Sequence, residues 1–245
     1  MSLFTKLPIV VNNPLLGVIP AADTDNLAGP EASAYGHWIF DTGDSTAYAS
    51  KVSSKVLTEQ NSAPSFSSNY VTITGAPGDS LLTDYPDSAN AVDTIAMIVR
   101  LPTIGGIRLL GGTLLANPNG GGLFLSGTSM YHQYRNAITS AEVDDGFAAD
   151  NWYFLAATRD FSGGTNVLRV LLGGDDVHTG THFSDYNPNA TDNINFPNAG
   201  YAAVITGDID YAEFMVFDYA MDASALTALY NRRKEFMGTQ GITVV

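Results

Sequence analysis

Residues 151–176, NWYFLAATRDFSGGTNVLRVLLGGDD, hold two apolar runs, Trp152–Thr158 and Val167–Leu172, joined through Ser162-Gly163-Gly164-Thr165. Runs rich in β-branched and aromatic residues on either side of a glycine-bearing connection predict a β-hairpin. In the first run Trp152, Phe154 and Ala156 alternate with Tyr153, Leu155 and Ala157, so both faces are apolar. Such a strand belongs inside a sheet that is covered on both sides.

The segments around this hairpin carry the same β pattern. Upstream, DTIAMIVRL over Asp93–Leu101 sets Ile95, Met97, Val99 and Leu101 on one face and Thr94, Ala96, Ile98 and Arg100 on the other. Strands are also predicted at Tyr35–Phe40 and Tyr70–Thr74, with short apolar runs at Ile107–Leu110 and Leu123–Leu125. The glycine pairs between those runs suit hairpin ends and bulges, and no phosphate-cradling Gly-x-x-x-x-Gly-Lys-Ser/Thr pattern is present. Ser50–Ser68 is polar and serine-rich, which predicts a surface loop with a short strand near Lys55-Val56-Leu57. Downstream, Gly207–Asp218 reads as a strand and Ala223–Met237 as a helix. Asp222 is its predicted N-cap, Gly238 its stop, and Leu226, Leu229, Tyr230, Arg233 and Met237 its buried stripe. Arg232-Arg233-Lys234 then fall in the last turns, where positive charge complements the macrodipole. Gly241–Val245 is long enough for a final strand.

Trp152 opening a strand, Gly173 ending its hairpin, Gly207-Asp208-Ile209-Asp210 starting another strand and Leu229-Tyr230 on the helix form a recognisable set. With these residues the chain resembles the laminin G-like branch of the concanavalin A-like lectin/glucanase superfamily, best over residues 150–237. The Asp-Gly that usually closes the hairpin is replaced here by Leu172-Gly173-Gly174-Asp175. The resemblance implies an all-β, two-sheet antiparallel jelly-roll sandwich with one C-terminal helix. It speaks to fold more than to activity, because the superfamily holds lectins, hydrolases, adhesion modules and structural domains.

The 245 residues fit one sandwich over residues 31–245. Residues 1–30, with four prolines, read either as an extended arm reaching a neighbouring subunit or as a first strand and linker on their own domain. A hydrophobic share of 45% against 15% charged residues supports a large core. The net charge of −14, from 25 acidic and 11 basic residues, disfavours nucleic acid and anionic membranes as partners. With no cysteine there is no disulfide or thiolate chemistry. Prolines and asparagines interrupt the first 22 residues, so neither a signal peptide nor a membrane span is expected.

Chemistry-bearing patterns are few. Glu142-Val143-Asp144-Asp145 resembles the start of the Glu-x-Asp-x-Glu strand of superfamily glucanases, but Gly146 stands where the second glutamate is required. It is read as an acidic turn ahead of Trp152. His178 and His182 are four apart without helix formers between them, and are read as loop histidines. Gly173–Asn198 crowds Asp and Asn around Tyr186, so Asp175, Asp176, Tyr186, Asp192 and Asn193 are the candidate ligand-binding residues. Asp175 and Asp176 are the candidate calcium ligands, an aromatic among carboxylates and amides suits a sugar ring, and a solvated or subunit-contacting loop is the alternative. Asn189-Ala190-Thr191 matches a glycosylation acceptor, without weight in a chain lacking a secretion signal.

These features lead to one functional expectation and two alternatives. The expectation is a non-enzymatic virion-surface protein, a bacteriophage capsid decoration or tail-fibre module that binds carbohydrate. It has no catalytic residues and no cofactor beyond calcium, and it sits on the virion surface. Its partners are other virion proteins or further copies of itself through the arm, giving a homo-oligomer, together with cell-surface glycan. The alternatives are a free lectin-like carbohydrate-binding module and a glycoside hydrolase.

Overall fold

The computed structural model describes residues 29–87, 91–113, 120–134, 141–144, 146–163, 165–182, 192–198, 200–202, 204 and 206–245. All of the 1–30 arm except its last two residues, together with Tyr186 and the Asn189-Ala190-Thr191 triplet, lies outside the described residues. The first eight strands are β1 (Gly36–Ile39), β2 (Thr58–Gln60), β3 (Ser65–Phe66), β4 (Val71–Thr74), β5 (Ser80–Pro86), β6 (Val92–Arg100), β7 (Ile107–Gly112) and β8 (Gly121–Ser126). They are followed by β9 (Ser129–Tyr134), β10 (Ala141–Val143), β11 (Trp152–Asp160), β12 (Asn166–Leu172), β13 (His178–His182), β14 (Asn193–Pro197) and β15 (Asp208–Phe217).

Two antiparallel sheets result. The first runs β13-β12-β11-β6-β15-β4-β3, with β1 also paired to β15, and the second runs β10-β9-β8-β7-β14-β5-β2. The quoted hairpin is β11–β12, in register from Leu155 opposite Leu172 to Asp160 opposite Val167. Its first strand is covered on both sides: Tyr153, Leu155 and Ala157 enter the core between the sheets, and Phe154 and Ala156 meet the C-terminal helix. The same division holds on β6, with Ile95, Met97 and Val99 inward and Ala96 and Ile98 under the helix.

A β-bulge in β15 breaks the simple alternation. Register shifts between Tyr211 and Glu213, so Tyr211 and Phe214, three apart, both face the inter-sheet core. The extra residue sends Glu213 toward the helix side, where it meets Arg233.

The helix spans Ala223–Thr239, with the Asp222 carboxylate accepting a hydrogen bond from the Ala225 amide as the predicted cap. Leu226, Leu229, Tyr230, Phe236 and Met237 are buried on the first sheet. Its stop is corrected from Gly238 to Gly241, which takes φ +78°. The Ile242 amide donates to the Met237 carbonyl and the Gly241 amide to that of Gly238, the paired bonds of a Schellman end. Arg232 and Arg233 therefore lie about two turns before the end, and ion pairs to Glu31 and Glu213 replace the macrodipole as the reason for their place. No described helix is long and apolar enough to cross a membrane.

Four other sequence expectations are corrected. Glu142 lies in the edge strand β10 instead of an acidic turn, because Ala141–Val143 pairs with β9. His178–His182 forms the edge strand β13 on β12 instead of a loop. In the 50–68 segment the strands are β2 and β3, while Val56 makes only an isolated bridge to Ala49. The predicted final strand is reduced to one bridge between Val244 and Trp152.

Candidate functional site

The candidate site lies on the outer face of the second sheet. Glycine at position 127, with φ +66°, opens a two-residue turn between Ser126 and Ser129, and its positive φ matches the first position of a II′ hairpin. The turn fixes β8 against β9 so that Phe124 stands opposite Tyr131. Tyr131 in turn stands opposite Glu142 on β10, and Leu109 on β7 stands opposite Phe124. Alternation then sends Met130, His132 and Tyr134 inward, and leaves Tyr131 and Gln133 half-exposed on the other face.

Phe124 and Tyr131 stack with ring centroids 5.2 Å apart and planes 14° from parallel. Glu142 hydrogen-bonds the Tyr131 hydroxyl, and this bond more than burial raises the phenol above its ordinary range. Ser129 Oγ donates to Asp144 Oδ1 at 3.4 Å, so a hydroxyl and a second carboxylate flank the rings. The helix packs on β11 and β12 of the first sheet, and on this outer face of the second sheet Leu109 is buried while Phe124, Tyr131 and Glu142 are half-buried. Half-exposed rings bordered by hydroxyl, amide and carboxylate groups can hold a polyol by stacking and hydrogen bonding. Glu142 lies on β10, Asp144 follows the end of that strand, and Gly146 leaves the third glucanase position without a carboxyl.

Of the described residues expected from the sequence to bind ligand, Asp175 and Asp176 lie apart from Asp192 and Asn193. Asp175 and Asp176 are exposed in the turn between β12 and β13, beside an open groove along Ala223, Ser224 and Thr227 of the helix. Asp192 and Asn193 lie at the start of β14, where Asn193 Nδ2 donates to the Thr83 carbonyl at 2.9 Å. Gly173 bonds Phe154 near one end of β11, whereas the Asp192 carbonyl accepts from Asp87, whose carboxylate holds Arg159 near the other end. Five residue steps along the strand separate Phe154 from Arg159, roughly 16 Å. Among the described residues no group of three or more His, Asp or Glu is gathered as for a metal ion. Sequence reasoning did not single out Phe124 or Tyr131, although Gly127 at the first turn position, flanked by alternating runs, was the available signal.

A second polar cluster lies inside the sandwich. Arg159 donates to Asp87 Oδ1 at 2.6 Å and also bonds Asp93, and its guanidinium sits 5.2 Å from the Tyr134 ring centroid. With His132 these groups line a cavity of about 20 Å³, room for a single water. It is too small for an organic ligand, and it ties the two sheets together. Burial, opposed by Arg159, raises the Asp93 carboxyl to about 6. Burial lowers the His132 imidazole to about 4.

These shifts have opposite pH signatures. The Asp93 contribution to stability is present near pH 4 and is lost as pH rises through about 6. The His132 contribution is present above the ordinary 6.5 and is lost as pH falls through about 4. Asp93→Asn removes the first slope only, so the variant is expected to lose stability more steeply than its parent on acidification across that window. Urea unfolding at a series of pH values measures it, and an equal or shallower slope would contradict this assignment.

No protein-family model matches the chain, and no curated protein matches it. Solved structures do match. A Trypanosoma rangeli sialidase in complex with sialic acid superposes with TM-score 0.61 at 12% identity, over 88% of this chain and 37% of that one. The botulinum neurotoxin type G receptor binding domain gives TM-score 0.55 at 12% identity, over 82% and 52%. A botulinum neurotoxin type C structure, described by its dependence on two ganglioside molecules for cell entry, gives 0.56 at 12% identity, over 81% and 51%. This chain thus spans about a third to a half of the length of these structures, and the likeness is one of fold. The protein is a two-sheet antiparallel β-sandwich with one C-terminal helix, and it shares that sandwich fold with these structures.

Proposed function

We propose that the chain is a non-enzymatic carbohydrate-binding module of laminin G-like type, serving adhesion at a virion surface. The observation that carries the binding role is the stacked, half-buried Phe124–Tyr131 pair, in register with Glu142 on the outer sheet face. Neighbours described with sialic acid or gangliosides share the fold and support a carbohydrate ligand by analogy. The virion setting rests on a composition that is acidic, free of cysteine and rich in glycine, asparagine and aspartate, and on the proline-bearing segment 1–30 read as a docking arm. Mass spectrometry of purified particles from the source checks it.

The binding role is tested on a glycan array with the full chain and with Tyr131→Ala. Because the ring is half-exposed on a three-strand platform, the variant is expected to fold. It is expected to lose about tenfold or more in affinity for every glycan bound, the equivalent of about 1.4 kcal/mol. Affinity unchanged in Tyr131→Ala and also in Phe124→Ala would remove the binding role from this face. A hydrolase reading requires release of reducing ends, and none is expected from the parent or from Glu142→Gln.

A further inference from the structure

We infer that the Phe124–Tyr131 platform selects uncharged sugars and disfavours those bearing a carboxylate, such as sialylated or uronic-acid glycans. This rests on the carbohydrate-binding reading above and names the class of ligand that the same face takes. The reason is the charge distribution on the second sheet. Its seven described strands carry one lysine or arginine, Arg108, which is 4% exposed. The Arg108 Nη2 donates to Thr103 Oγ1 at 3.0 Å, and the guanidinium lies against Gly207. That places it at the strand start, turned away from the aromatic rings. His132, next in sequence to Tyr131, points into the sandwich, where its Nδ1 donates to the Arg169 carbonyl at 3.1 Å. Lys55 is held by Asp84 on β5, four strands from β9 in the sheet order and so roughly 19 Å away.

The rings are bordered instead by Glu142 and Asp144. Recognition of a sugar carboxylate calls for a guanidinium fork or an ammonium, and two fixed anions repel it. A neutral pyranose meets no such penalty: its apolar face stacks on the rings and its hydroxyls donate to the two carboxylates. The fold neighbours described with sialic acid or gangliosides thus support a sugar ligand without indicating whether that sugar is charged.

The experiment uses the full chain on matched pairs of immobilised glycans, each neutral oligosaccharide beside its sialylated form. Binding is expected to favour the neutral member by about fivefold or more at low salt, the ratio that about 1 kcal/mol of like-charge repulsion gives. The ratio is expected to shrink between about 20 mM and about 500 mM salt, and to fall toward one in Glu142→Gln/Asp144→Asn. Preference for the sialylated member, lost in Tyr131→Ala, would overturn the inference while leaving the carbohydrate reading intact. Arg135→Ala is measured in parallel, because that residue lies outside the described set. A sialylated preference that vanishes in this variant would overturn the inference in the same way. Binding to no glycan on the array would overturn the carbohydrate reading and the inference with it.

Discussion

Glu213→Ala is expected to destabilise the protein by about 3–5 kcal/mol, because it leaves a buried guanidinium without its closest carboxylate. Arg233, Glu213 and His37 are almost wholly buried, and Glu31 joins them from the segment ahead of β1. Arg233 Nη2 sits 2.6 Å from Glu213 Oε1, and Nε donates to the other carboxylate oxygen at 3.1 Å. Burial works against ionising Glu213, yet Arg233 and His37 together hold its carboxyl below the ordinary range. Glu31 meanwhile accepts from Arg232 at 3.2 Å and lies 3.5 Å from Arg233. One charge network thus binds the helix, β15, β1 and residues 30–33. For a chain of 245 residues the loss corresponds to a fall in Tm of about 6–20 °C. Glu213→Leu/Arg233→Met removes both charges, leaves Glu31 with Arg232, and is expected to be less destabilised than Glu213→Ala alone. A double variant worse than the single one would show that the network contributes more than mutual neutralisation.

Phe214→Ala is expected to cost a similar amount by a different route. The Phe214 ring stacks on Phe196 with centroids 3.9 Å apart and lies 6.2 Å from Trp38, at the centre of the inter-sheet core. Both neighbours come from other strands, Phe196 from β14 of the second sheet and Trp38 from β1, so removing the ring opens a cavity shared by both layers. Truncations of this kind cost about 3–5 kcal/mol where the surroundings cannot collapse. Urea unfolding should show a lowered midpoint at unchanged slope. A loss below about 1 kcal/mol would mean that the core closes over the site.

The long two-faced strands were legible from residues alone. Trp152–Asp160 and Val92–Arg100 are apolar on both faces because the helix covers one and the second sheet the other. The helix was legible from its stripe and cap, but its end was not. Gly238 tolerates helical geometry, and the left-handed residue needed to close it is Gly241. Strand β13, HTGTH, lacks alternating hydrophobicity and is a strand because β12 offers hydrogen bonds, while β14, NINFP, alternates only over the short run from Asn193 to Phe196 inside a polar segment. The polar segment between residues 173 and 198 therefore reads as one loop in sequence but feeds two different sheets. Asp175 and Asp192 share a stretch of chain without sharing a site.

The bulge at Glu213 was hidden because a phase shift needs the partner strand to reveal it. The Glu31–Arg232 pair spans 201 positions, a separation that no local pattern reports. The Phe124–Tyr131 platform was within reach through Gly127, since a two-residue turn fixes which residues face each other. Its exposure, however, depends on the helix having taken the other sheet.

Backbone amide chemical shifts, followed while the full chain is titrated with an oligosaccharide that the array shows to bind, test the central claim most directly. The account predicts that the perturbed amides map to residues 121–134 and 141–144, around Phe124, Tyr131 and Glu142, and that Tyr131→Ala abolishes them. Perturbations confined to Gly173–Val177 or to the start of β14, with the platform silent, would contradict it.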